Sequence, residues 1–98
     1  METINVVDVA QGLGAAWKSQ VLGDLGGTRV KALRMDGAEG EEEVHGDAEA
    51  LFVVEGALEL DLDGTRLTVG PGELCLVPPR TPHAVRAGSH GVLIIVER

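Results

Sequence analysis

Residues 37–56 read GAEGEEEVHGDAEALFVVEG, and this stretch decides how the rest of the chain is understood. An acidic segment, Glu39 to Glu43, leads through His45 and Glu49 into the apolar run Leu51 to Val54 and a closing Gly56. Glu43 and His45 are two positions apart, so on extended backbone their side chains leave the same face. Glu49 comes just before a buried strand, where an uncompensated carboxylate is costly. Three residues able to ligate a metal therefore precede a core strand. His83, at the end of a second stretch that starts at Gly72, supplies another imidazole.

His45, His83 and Glu49 make a 2-His-1-carboxylate set, the facial arrangement suited to Fe(II), with Mn or Zn also compatible. Glu43 has two readings: a fourth, oxygen ligand, or the last member of a solvated acidic run. For His45 and His83 the alternative is a polar residue satisfied at the mouth of a barrel. His90, between Ser89 and Gly91, is read as surface.

Working outward, the pattern is that of strands and turns. Thr28 to Met35 places Val30 and Ala32 on one face and Lys31, Leu33 and Met35 on the other. Leu51 to Val54 is a strand turned by Glu55-Gly56. Leu58, Leu60 and Leu62 alternate with Glu59, Asp61 and Asp63, and Asp63-Gly64 is a type I′ hairpin signal with Leu67 and Val69 on the return strand. Gly70-Pro71-Gly72 turns into Glu73 to Val77, which Pro78-Pro79 stops because proline cannot donate to a ladder. His83 to Arg86 and Val92 to Val96 complete the set.

Towards the N-terminus, Thr3 to Val9 reads as a first strand, placed to pair across a subunit interface. Ala10 to Trp17 is a loop or a single helical turn, since Gly12 and Gly14 each weaken a helix by about 1 kcal/mol. Trp17 is read as a hydrophobic anchor. The sum is eight to nine short strands, an all-β barrel or sandwich in a single domain over residues 1–98, with an N-terminal strand and arm over 1–27 and the barrel core over 28–98.

Composition narrows the function classes. The chain has 98 residues, one Trp, one Phe, no Tyr and fourteen glycines, so its core is built from Val, Leu and Ile. A formal net charge of −8 without a basic stripe argues against nucleic-acid and anionic-membrane partners, both of which demand clustered Lys and Arg. Cys75 alone offers no disulfide framework and no thiolate zinc site, and in the run LCLV it is read as a buried structural thiol. The stretch METINVVDV lacks the features of a secretory signal, and Val92 to Val96 is too short to span a bilayer, so a cytoplasmic location is expected.

Two spacings together resemble the cupin family. The family's first motif is Gly, five residues, His-x-His, three or four residues, Glu, six residues, Gly; here Gly37, Glu43-x-His45, Glu49 and Gly56 stand at those intervals. Its second motif is Gly, five residues, Pro-x-Gly, two residues, His, three residues, Asn, onto which Gly72, Pro78, Arg80, His83 and Ala87 fall. Glu43, Arg80 and Ala87 depart from the family's residues. The resemblance implies a conical jelly-roll β-barrel of six to eight strands, a divalent metal in its mouth held by His45, Glu49 and His83, and dimerisation through a terminal strand. Glu43 in place of histidine favours harder ions such as Mn(II), Fe(II) or Ni(II).

The expected function is that of a metal-dependent small-molecule cupin, a dioxygenase or a sugar or carbonyl isomerase, working as a homodimer. The alternative is a non-catalytic barrel that binds or senses a small sugar or organic acid. Leu51, Val53, Leu76 and Val85 are expected to line the pocket. Arg80 is either a solvated loop residue or a guanidinium that holds an anionic substrate.

Overall fold

The computed structural model describes residues 3–98. A short helix α1 (Val6–Gln11) precedes seven strands among the described residues: β1 (Gln20–Leu25), β2 (Thr28–Asp36), β3 (Glu49–Leu62), β4 (Thr65–Val69), β5 (Leu74–Val77), β6 (His83–Val85) and β7 (His90–Glu97). Every pairing is antiparallel, in the order β1-β2-β7-β3-β4, with β5 and β6 also bonded to β3. This is the all-β jelly-roll barrel expected from the sequence, in one domain. Met1 and Glu2 of the expected N-terminal arm lie outside the described residues.

β3 holds the architecture together. Its first half pairs with β7 and β5, and its second half pairs with β4 and β6. One strand therefore belongs to both walls. The turn expected at Glu55-Gly56 is absent; Leu51–Val54 and Leu58–Leu62 are parts of a single 14-residue strand. In place of a reversal, the register against β7 slips between Val53 and Glu55, and Gly56 takes a φ of +81°. A bulge of this kind bends a strand without ending it.

The bend depends on two facing glycines. Gly56 pairs with Gly91, and a Cβ built on Gly56 would stand 2.0 Å from the His90 carbonyl oxygen. One built on Gly91 would stand 2.1 Å from the carbonyl oxygen of Glu55. Neither position has room for a side chain.

Past the bend, Asp63 (φ 49°) and Gly64 (φ 83°) form the expected two-residue hairpin, closed by the pair Leu62 and Thr65. Leu33, Met35, Leu51, Val53, Leu58, Leu60, Val69, Val77 and Leu93 fill the barrel, an aliphatic core as the composition requires. Cys75 packs against it half-buried, and burial, then the charge of Glu49, pushes its thiol up.

The N-terminal segment corrects the expectation of a strand over Thr3 to Val9. Five of those residues are β-branched aliphatics or Thr, yet α1 forms because Asn5 caps it, its side chain accepting from the Asp8 amide at 3.1 Å. At the other end Arg34 Nη1 donates to the carbonyls of Ala10 (2.9 Å) and Leu13 (3.0 Å), placing a cation where the helix leaves acceptors open. Local capping and docking on β2 outweigh strand propensity. β1, which lacks a period-two apolar pattern, is held to β2 by the turn at Gly26-Gly27, both with positive φ.

Candidate metal centre

The register of β3 places the site. Leu62 faces His83 and Leu60 faces Val85 across the β3–β6 pair, and directly opposed residues share a face, so His83 and Val85 point inward with the leucines. Glu43 forms an isolated bridge with His83, its amide donating to the His83 carbonyl at 2.8 Å and its carbonyl accepting from the His83 amide at 3.0 Å. Gly40 extends this alignment by donating to the Val85 carbonyl at 3.0 Å. The acidic segment is thus tied along β6, and Glu43 is turned towards the cavity.

Glu49 comes from the opposite wall, as the first residue of β3. It lies between Glu97 of β7 and Val77 of β5. His45 sits on the connection from Glu43 to Glu49, fixed by the Arg80 amide, which donates to its carbonyl at 2.7 Å. Ligand atoms of Glu43, His45 and His83 all lie within 4.8 Å of one another. Glu49 joins the group through His83, with Oε1 2.9 Å from Nε2. All four residues proposed from the sequence therefore meet at one end of the barrel.

The electrostatics of His83 bear on what the site accepts. Its Nδ1 stands 2.9 Å from the Thr81 carbonyl, which can only accept, so Nδ1 carries the proton. Nε2 is then the ring nitrogen turned to the site. It is buried and makes no hydrogen bond, because the nearby Glu49 carboxylate is close but not aligned for one. Two facing acceptors in a buried site call for a proton or a cation between them. Two donors each about 2.1 Å from one ion at a right angle stand about 3 Å apart, so the His83 and Glu49 spacing fits common ligation of a divalent metal.

Glu97 is a component that sequence reading missed. Burial raises the Glu49 carboxyl above the usual range, and a proton shared with Glu97 raises it further, against the pull of His83 and His45. Burial acts the same way on Glu97, but Lys31 Nζ donating to it at 2.7 Å and the proton from Glu49 outweigh this and hold it low. A chain of contacts therefore runs Lys31, Glu97, Glu49, His83. The available signal was alternation along β7: Leu93, Ile95 and Glu97 share the inward face.

These groups surround a cavity of about 570 Å³ whose floor includes Leu33, Leu51, Leu58, Leu60, Val85 and Leu93. Of the four residues expected at the pocket, Leu51 and Val85 line this cavity, and Val53 and Leu76 do not. Val53 is fully buried in the core beneath, and Leu76 is 66% exposed because Cys75 and Val77 take the inward positions of β5. Arg80, for which the sequence left a solvated loop residue and an anion-holding guanidinium open, is exposed and outside the cavity lining. Its φ of +58° shows why the family has glycine there, since this chain keeps the left-handed backbone and changes only the side chain. Trp17 lines the cavity, and its Nε1 donates to Asp36 Oδ1 at 2.6 Å. His90 is exposed, as read from the sequence.

Comparison with known proteins agrees with this geometry. The cupin domain family model matches residues 33–97. Quercetin 2,3-dioxygenase of Bacillus subtilis is 40% identical over 53 residues, covering 53% of this chain and 16% of that protein, so the chain spans about a sixth of the length of this curated relative. A cupin-2 domain containing protein from Shewanella frigidimarina superimposes with a TM-score of 0.86 at 24% identity, covering 96% of this chain and 92% of its own. A protein from Neisseria meningitidis gives a TM-score of 0.83 at 26% identity, with 98% of each chain covered.

Proposed function

The chain belongs to the cupin domain family, and from that premise we propose that it is a metal-dependent cupin which acts on a small molecule in the barrel cavity. The observation that carries this reading is the buried, unbonded Nε2 of His83 facing Glu49, with Glu43 and His45 beside it. His45, Glu49 and His83 would hold a divalent ion, Fe, Mn, Ni or Zn, with Glu43 as a fourth ligand. Such an ion supplies Lewis acidity and open coordination positions, the requirements of a carbonyl isomerase or a dioxygenase.

The chain's own residues have separate tasks. Thr81 fixes the ring orientation of His83 through its carbonyl, leaving Nε2 free to ligate. Glu97, anchored by Lys31, orients the Glu49 carboxylate. The leucine floor excludes water and so strengthens every polar contact above it. The similarity to quercetin 2,3-dioxygenase supports the oxygenase branch within the stretch it covers.

A second reading, a non-catalytic barrel that binds or senses a small molecule, is supported by Glu43, whose side chain is 62% exposed where the family has a histidine. The same proposal includes a homodimer in the cytoplasm. Among the described residues no helix is long and apolar enough to cross a membrane. The dimer is supported by exposed Leu74 and Leu76 on the outer face.

Metal analysis of protein purified without chelator tests the central claim, with about one divalent ion per chain expected. His45→Ala/His83→Ala should lose the ion and remain folded. Absence of metal in the purified protein, with none taken up on titration, overturns it. Turnover or oxygen consumption with small carbonyl and phenolic compounds then separates enzyme from binding module.

A further inference from the structure

We infer that the cavity selects an amine-bearing small molecule, an apolar body with one protonated nitrogen, and turns anions away. This inference rests on the cavity being the ligand site proposed above. Its ionisable lining consists of six glutamates and two histidines, with no lysine or arginine. Lys31 balances Glu97, and a divalent ion would balance Glu43 and Glu49. Glu39, Glu41 and Glu42 are left at the rim, without a salt bridge among the described residues.

Four features turn this acidic rim into a selective entrance. The backbone bonds of Gly40 to Val85 and Glu43 to His83 keep the segment on the barrel edge. Beneath it the floor is aliphatic, so a ligand must bring an apolar body. Within the cavity the His83 side chain is only 4% exposed and its Nε2 has no hydrogen-bond partner, so in the metal-free chain it is an unpaired acceptor for an entering N–H donor. Trp17 on the wall adds an aromatic surface of the kind that attracts ammonium groups.

The arrangement disfavours the organic acid of the alternative reading. Arg80, the residue that sequence analysis offered for an anion, does not line the cavity. Charges focused at a cleft act on ligands before contact, and salt screens the effect.

Three probes of matched shape test this: phenethylamine (cation), 2-phenylethanol (neutral) and 3-phenylpropionate (anion), titrated into the full chain with and without Mn(II). Emission from Trp17, the one tryptophan, reports binding. Phenethylamine is expected to bind about tenfold more tightly than 3-phenylpropionate at low salt, with the alcohol between them, a ratio of the size that a few partly screened charges produce. The variant Glu39→Gln/Glu41→Gln/Glu42→Gln should bring the three affinities together, as should 0.5 M NaCl on the unaltered chain.

Equal affinities in the unaltered chain, tighter binding of the anion, no response from any probe, or a preference unmoved by the triple variant would each overturn the inference. Selectivity is read with metal absent as well as present. A chain that takes up no metal but prefers the amine refutes the metal reading and leaves this inference standing. One that binds metal without preference does the reverse.

Discussion

The Nε2 atom of His83 faces Oε1 of Glu49 at 2.9 Å, both side chains buried and neither aligned for a hydrogen bond. Without a cation between them, burial and then Glu97 raise the Glu49 carboxyl above the usual range, against the pull of His83 and His45. A carboxyl raised in the folded state adds stability below its unfolded pKa, and that stability is lost as pH rises through the folded value. Metal-free protein should therefore melt at lower temperature as pH climbs above the ordinary carboxylate range. Glu49→Gln should flatten this part of the profile and raise the metal-free melting temperature at neutral pH, while abolishing the stabilisation that added divalent ion gives. Thermal unfolding across pH, with and without metal, checks both signs.

Trp17 reports on a second carboxylate. The indole N–H donates to Asp36 Oδ1, and this bond, followed by the Ala38 amide, holds the Asp36 carboxyl below the usual range. A lowered carboxyl contributes stability above its unfolded pKa and loses it as pH falls through the folded value. Tryptophan emission should thus stay constant down to the ordinary aspartate range and change only below it. Asp36→Asn should remove the transition from a fluorescence titration, and Trp17 should respond less sharply to cavity ligands once its ring is no longer fixed.

Much of the site was legible because strand periodicity and motif spacing act through local geometry. The intervals between Glu43, His45 and Glu49 marked three candidate ligands and the second spacing marked His83, and the fold brings these four side chains to one end of the barrel. Facing on β5 was misread by one position: the run LCLV is apolar throughout, so only pairing of Cys75 with Leu51 reveals that Leu76 points out. Glu55-Gly56 looked like a turn because glycine with positive φ serves turns and bulges alike, and the choice was made by Gly91, far along the chain. Asn5 and Arg34 make a helix of a segment rich in valine, the second of them by a tertiary contact that no local pattern announces.

The glycine pair at the bend gives a stability prediction. Gly56→Ala must displace the His90 carbonyl and place alanine at a φ of +81°, so clash and backbone strain add. Each strained position alone costs about 1–3 kcal/mol, and the combined loss should be at least about 3 kcal/mol. Gly64→Ala, at a φ of +83° but with open space around it, should cost only the backbone share. Denaturant unfolding of the two variants separates clash from strain. Equal losses would show that the close approach of β3 and β7 relaxes freely.

The outer face of the sheet bears on assembly. Two rows run across four strands, Leu74, Phe52, Ile94, Ala32 and Leu76, Ala50, Val96, Val30, and neither contains a charged residue. Leu74 and Leu76 are 56% and 66% exposed. A chain of net charge −8 repels its own copy over most of its surface, so an uncharged apolar face is where two copies meet at least cost. The dimer expected from the sequence should therefore use this face, since the terminal segment once expected as a strand is helical. Leu74→Glu/Leu76→Glu places like charges opposite one another across a two-fold interface, yet on each monomer it alters only exposed positions, where substitutions change stability by about 0.5 kcal/mol or less. Sedimentation should show a dimer for the unaltered chain and a monomer for the variant, with metal content unchanged. A monomeric unaltered chain at micromolar concentration would refute the dimer, and a variant that stays dimeric would move the interface to another face.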